Sequence, residues 1–211
     1  MTERHDRLAE GTEKSDAGEP DVTAMLDRTT HARPRLLDLE PDLPQAYKKA
    51  EIVGGALIMT PLRSFHGETL FRLQMQLAEQ LPDEFWFVYD VLTPFPREDH
   101  EFCPDLAVIP KKEAERNISV CDPRLIQFVF EIISESTADI EYKTKVGAYA
   151  RAEIAEYVIF DPYGARATRY ARPEKGEYQI RELVSYGGVV RIEQPFACVL
   201  ETSVLPVNPQ R

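Results

Sequence analysis

Phe102-Cys103-Pro104-Asp105-Leu106-Ala107-Val108-Ile109 and Phe128-Val129-Phe130-Glu131-Ile132-Ile133 are two apolar runs, each carrying one acid. The second belongs to a near-continuous apolar stretch, residues 125–133, the pattern of a central strand covered on both faces. The first reads as a neighbouring strand with Asp105 near its start. A carboxylate among Val, Ile, Leu and Phe is costly unless something cationic compensates it. A helix is expected to follow, running to about Arg151 and opened by a capping pattern, Ser136 with Asp139 three residues later. On it Glu141, Lys145 and Tyr149 recur every four residues and share a face. Two carboxylates and an ammonium brought together in this way compensate one another, and the carboxylates suit a hard cation such as Mg²⁺.

The flanking sequence supplies the other layers. Residues 46–51 read as a helical turn leading into Ile52-Val53-Gly54-Gly55-Ala56-Leu57-Ile58-Met59, two apolar segments around a Gly-Gly pair and hence a hairpin. Pro61 ends it. Ser64 is placed to cap a helix reaching about Gln80, with Leu70, Leu73, Leu77 and Leu81 on one face and His66 in the first turn. Residues 85–92 form an expected strand, joined to 102–109 by a polar, Pro-containing loop at 94–101. Residues 111–117 read as a surface helical turn and 157–160 as another apolar strand. Alternating segments at 166–171, 177–184 and 189–192 suggest a C-terminal antiparallel meander. The order predicts an α/β fold with a mixed central sheet flanked by helices.

Composition narrows the classes. The chain has 211 residues, enough for one domain with a core that needs no staples. Cys103, Cys121 and Cys198 are an odd set with no zinc spacing, which fits reduced thiols in a cytoplasmic protein. No apolar run approaches a membrane span, and charge from the third residue onward argues against a signal peptide. The net charge is −11: residues 1–42 contribute −5 and the remainder −6. That balance excludes a protein that coats nucleic acid by general electrostatics. Residues 1–42 have the composition of a disordered acidic leader, with a short helix at 22–28. Residues 43–207 read as the folded domain and 208–211 as a tail.

Each candidate residue has a plainer reading beside the functional one. A Pro-Asp at a strand start is commonly a turn. Glu131 is harder to dismiss, because acids are rarely fully buried unless paired. Glu141 and Lys145 at helical spacing are commonly a solvated ion pair. Glu51 is either a metal ligand or base, or an exposed acid after Lys48-Lys49. His66 reads as a satisfied or surface histidine, Tyr149 as a packed ring with its hydroxyl near the site, and Cys103 as a small core residue. Gly-rich phosphate loops, a Ser-His-Asp order and zinc motifs are missing from the sequence.

Taken in order, Ala50-Glu51-Ile52-Val53-Gly54-Gly55, His66, Pro104-Asp105-Leu106-Ala107-Val108, Phe130-Glu131-Ile132-Ile133-Ser134-Glu135-Ser136-Thr137, Lys145, Tyr149 and Glu156-Tyr157-Val158-Ile159-Phe160-Asp161-Pro162 resemble the Uma-type restriction endonuclease family of the PD-(D/E)XK nuclease superfamily. The resemblance spans residues 43–207 and implies a restriction-endonuclease-like core. It also implies Mg²⁺-dependent hydrolysis of DNA phosphodiesters by metal-activated water, with Mn²⁺ as a substitute. By motif position Asp105, Glu131 and Glu51 would be metal ligands, Lys145 the catalytic lysine, and Glu51 a helix-borne acid. The superfamily's usual lysine position, two residues after the strand acid, is Ile133 here; Lys145 matches a lysine relocated to the following helix. The family often has Asp-Gly at Gly54-Gly55, Pro at Glu135, Gly at Glu153 and Trp at Val158. Glu153 thus replaces a glycine helix stop, and Glu135 adds negative charge near an expected phosphate. Cutting both strands of a duplex commonly uses two sites, so a homodimer is expected. Two other readings stay open: a non-catalytic binding or assembly module, which the acidic charge favours, and a metal-dependent hydrolase of small phosphoesters.

Overall fold

The computed structural model describes residues 35–36, 49–60, 63–134 and 137–208. The chain divides into two units, residues 1–33 and 34–211, and every described residue belongs to the second. Apart from Arg35 and Leu36, the expected leader lies outside the described residues, as do the helix at 22–28, the domain start near Leu43, Pro61, the Ser136 cap and residues 209–211.

β1 (Lys49–Val53) and β2 (Ala56–Thr60) pair antiparallel around Gly54 and Gly55, whose φ angles are +57° and +81°. Two consecutive positive φ values are what a tight two-residue hairpin demands, and glycine adopts them without steric cost. This turn sets the register Glu51↔Ile58, so Glu51 is borne by a strand and not by the expected helical turn. Helix α1 (Ser64–Ala78) follows. Its N-cap is Arg63, with no side-chain cap bond, so Ser64 is the first helical residue and not the cap. Leu73 and Leu77 are buried from its apolar stripe, with Leu70 and Leu81 packed beside them.

β3 (Phe85–Val88) leads into a segment that differs from the expected loop. β4 (Thr93–Phe95) and β5 (His100–Phe102) form a hairpin, and β5 also pairs with β1, giving a four-stranded sheet ordered β2-β1-β5-β4. Pro94 is tolerated because β4 is an edge strand, where a missing N–H leaves no ladder bond broken.

β6 (Leu106–Pro110), the short helix α2 (Lys111–Ala114) and β7 (Phe128–Ile132) come next. A π-helical segment, Ile140–Lys145, then runs into α3 (Val146–Arg151), which leads to β8 (Glu156–Asp161). β9 (Arg166–Glu174) and β10 (Glu177–Ser185) complete a six-stranded sheet ordered β10-β9-β8-β7-β6-β3. Only β7 and β8 run parallel; its other neighbours are antiparallel, so the sheet is mixed. The C-terminal strands are antiparallel as expected but split into two hairpins. β9 and β10 extend the large sheet, whereas β11 (Val189–Ile192) pairs with β12 (Cys198–Glu201) as a separate ribbon.

Strand alternation sorts the core into two layers. Leu106, Val108, Phe128, Phe130, Val158 and Phe160 pack with α1 and the β11–β12 ribbon. Ala107, Ile109, Val129, Tyr157 and Ile159 pack with α3 on the opposite face. Asp105 and Glu131 fall in the odd-numbered register of β6 and β7, so both acids belong to the α3 layer.

Candidate active site

The register Leu106↔Phe130 brings Asp105 beside Glu131 at one end of β6 and β7. The Asp105 N–H donates to Glu131 Oε2 at 3.3 Å, and the Ile132 N–H donates to Asp105 Oδ2 at 2.7 Å. Asp105 is 1% exposed and Glu131 is fully enclosed. Two acids buried this closely repel unless cations separate them, and two lysines do so.

Lys145 arrives from the end of the π-helical segment. Its ammonium lies 2.7 Å from Glu131 Oε1, 2.9 Å from Glu51 Oε1 and 3.1 Å from Glu141 Oε1. Glu131 Oε1 accepts a hydrogen bond from the ammonium, and Glu51 and Glu141 complete its ion-pair shell. The Phe102 ring closes the cage, with its centroid 5.3 Å from Lys145 Nζ. The Tyr149 hydroxyl donates to Glu131 Oε1 at 2.9 Å, and the Tyr157 hydroxyl donates to Glu141 Oε2 at 3.0 Å. Single-turn π segments occur often at functional sites, and this one delivers Glu141 and Lys145 to the centre together.

Lys49, the first residue of β1, supplies the second ammonium. It donates to Asp105 Oδ1 at 2.6 Å and to Glu131 Oε2 at 3.1 Å, with Glu51 Oε1 at 3.9 Å. His66, from the first turn of α1, places Nε2 3.0 Å from Asp105 Oδ2. Glu51 accepts the Cys103 N–H at 2.8 Å. Lys49, Glu51, Thr60, His66 and Glu141 line a small cleft that reaches the site.

The electrostatics follow from this packing. Burial raises the Asp105 carboxyl, but Lys49 and His66 outweigh it and hold the group well below the usual carboxylate range. Burial pushes Glu131 up against the opposing pull of Lys145 and Lys49. Burial, with the Glu131 charge adding to it, pushes Glu141 up to about 8. Both ammonium groups are desolvated, yet the surrounding carboxylates raise their pKa values well above the ordinary lysine value. Four buried acids, Glu51, Asp105, Glu131 and Glu141, therefore surround two buried lysines. Fully ionised, the cluster carries two uncompensated negative charges.

The structure thus brings all four expected site residues together and corrects several plainer readings. Glu51 is 2% exposed, and the Glu141–Lys145 pair is buried rather than solvated. His66, read as a satisfied or surface histidine, is satisfied by Asp105. The expected three-carboxylate ligand set is not assembled: among the described residues, no three His, Cys, Asp or Glu side chains converge as a metal cage. Glu51 turns to Lys145, while Asp105 and Glu131 share one cationic point. Lys145, the expected catalytic lysine, is completely enclosed. Lys49 was not singled out in the sequence. The signal available was its position two residues before Glu51 on a strand, which puts both side chains on one face. Cys103 remains a core residue, its thiol pushed up to about 12 by burial.

A mixed sheet covered by helices on both faces, with acids at the ends of two neighbouring strands, defines an α/β, restriction-endonuclease-like core. A family profile described as "Uma2: Putative restriction endonuclease" matches residues 34–208, and the chain belongs to that family. A solved structure from Anabaena variabilis ATCC 29413, described as a putative nuclease belonging to DUF820, aligns with a TM-score of 0.58 at 17% identity, covering 75% of this chain and 89% of that one. At that identity the likeness speaks to the fold. None of the curated proteins matches the chain.

Proposed function

We propose that the chain is a metal-dependent DNA endonuclease that hydrolyses phosphodiester bonds, using Mg²⁺ with Mn²⁺ as a substitute. The observation that carries this reading is the buried cluster of four acidic side chains around two ammonium groups, in which one ammonium already bridges Asp105 and Glu131. Its donor atoms suit a hard divalent cation. Mg²⁺ is commonly held by one or two carboxylates, with waters and substrate phosphate oxygens completing the shell. Asp105 and Glu131 fit that pattern, because one cation already touches both. When bound, such an ion polarises the phosphoryl group and lowers the pKa of a water.

The chain's own residues prepare the site. His66 and the Ile132 N–H fix the Asp105 carboxylate through Oδ2 and leave Oδ1 facing Glu131. Lys145 and Tyr149 fix Glu131 through Oε1 and leave Oε2 facing Asp105. Lys145 is therefore a positioning residue, held in turn by Glu51 and Glu141. The apolar α3 layer keeps bulk water from these contacts, which strengthens them.

Supercoiled plasmid incubated with Mg²⁺ or Mn²⁺ tests the reading. Wild type is expected to nick or linearise it, and Asp105→Ala and Glu131→Ala to abolish cutting while leaving a cooperative thermal transition. Faster turnover of a small phosphodiester than of plasmid would instead assign a small-phosphoester hydrolase. The net charge of −11 and the pairing of Lys49 with both acids favour a second reading, a non-catalytic binding or assembly module. Inert protein across metals and at low salt would put that one ahead.

A further inference from the structure

Asp105 and Glu131 each have one oxygen committed wholly to the scaffold and one facing the other acid, and Glu131 Oε2 also accepts the Asp105 N–H at 3.3 Å. The committed oxygens are Asp105 Oδ2, with the Ile132 N–H and His66, and Glu131 Oε1, with Lys145 and Tyr149. The facing oxygens, Asp105 Oδ1 and Glu131 Oε2, are bridged by one atom, Lys49 Nζ, at 2.6 and 3.1 Å. A divalent ion binding the same two oxygens, at ligand distances of about 2.1 Å, needs the space that this ammonium fills. Two cations within contact distance of each other also repel strongly in so buried a site.

We propose that Lys49 is a built-in occupant of the metal position. Its ammonium holds the Asp105–Glu131 pair together in the metal-free protein, and a divalent cation loads by displacing it into the adjoining cleft. This rests on the metal-dependent reading above. The two lysines differ in whether they can leave. Lys145 is fully enclosed, with three carboxylates within 3.1 Å of its ammonium. Lys49 stands at the start of its strand and lines the cleft beside Thr60 and His66. Its flexible four-carbon stem allows the ammonium to swing without moving β1. The exchange lowers the apparent metal affinity, because binding must first break the lysine's contacts.

Calorimetric titration with MnCl₂ alone, in the absence of nucleic acid, tests the exchange. Lys49→Met is expected to bind Mn²⁺ at least about tenfold more tightly than wild type, whereas Lys49→Arg, which keeps the cation, is not. Asp105→Asn is expected to lose binding. A second measurement uses wild type and does not depend on the variants folding: acetylation of Lys49 by an amine-reactive ester, quantified by peptide mass spectrometry. Labelling is expected to rise severalfold with Mn²⁺ as the ammonium is released. Equal or weaker binding by Lys49→Met, or Lys49 labelling that is unchanged or reduced by Mn²⁺, overturns the exchange. Wild-type binding that Asp105→Asn abolishes while Lys49→Met leaves it unchanged overturns the exchange alone and spares the metal-dependent reading. Absence of Mn²⁺ binding in every form overturns both.

Discussion

At the scale of single residues, the site is a balance between desolvation and pairing. Removing Lys145 as Lys145→Met leaves Glu51, Glu131 and Glu141 without their shared ammonium. Breaking a buried charge network in this way costs about 3–5 kcal/mol; urea unfolding measures it, and a loss of only a few tenths would contradict the enclosure described. Glu141 makes the balance visible in pH. Its carboxyl titrates at about 8 in the folded protein against about 4.3 in an unfolded chain. Between those values the native state binds the extra proton, so this group's contribution to stability is full below about pH 4 and declines as pH rises to about 8. Glu141→Gln is expected to flatten that decline in unfolding curves; parallel curves for variant and wild type would contradict it. Asp105 and Glu131 were legible in the sequence because an acid inside an apolar run needs a partner. Lys49 and His66 were not, since a lysine before an acid and a histidine near a helix start look the same whether buried or solvated. Only the β1 register and the approach of α1 decide it.

At the scale of elements, the end of α3 shows a local rule broken. The Ile154 N–H donates to Tyr149 O and the Glu153 N–H to Ala150 O, the bond pair of a Schellman stop. Glu153 occupies its left-handed position with φ +60°. Glycine is unstrained there, so Glu153→Gly is expected to stabilise the protein by about 1 kcal/mol, read as a rise in melting temperature; an unchanged or lower value would contradict the strain. The sequence flagged this position because a glycine stop was missing. The Gly54-Gly55 hairpin was equally legible, as its two positive φ angles leave few other residues. The β4–β5 hairpin was hidden, because Pro94 and the polar residues after it read as a loop, and the partner that makes β5 a strand is β1, some fifty residues earlier. Helix period could not distinguish the π-helical segment from α-helix, since six residues are too few to separate a 3.6-residue turn from the wider π turn.

At the scale of the whole molecule, a second buried charge cluster ties the C-terminal ribbon to the large sheet. Arg169 on β9 donates to both oxygens of Glu156 on β8, at 2.7 and 3.0 Å, and Glu156 Oε1 also accepts the N–H groups of Glu193 and Gln194 at 2.6 and 2.9 Å. Glu156→Ala is expected to cost about 3–5 kcal/mol without altering residues of the proposed active site; a denaturation midpoint equal to wild type would show that these contacts do not clamp the ribbon. The split of the expected meander follows from the same contacts, which no alternation pattern reports. What the sequence did make legible was the central layer: apolar runs of strand length, interrupted by acids, with a helix between β7 and β8. In the proposed function, Asp105 and Glu131 together make a metal-dependent nuclease site. Its most direct measurement is plasmid nicking against Mg²⁺ concentration for wild type and Asp105→Asn, a substitution that keeps shape and removes charge. Nicking that rises with Mg²⁺ in wild type and falls at least about a hundredfold in a folded Asp105→Asn is the predicted result. Equal nicking by the two proteins, or nicking that persists in a chelator, would contradict it.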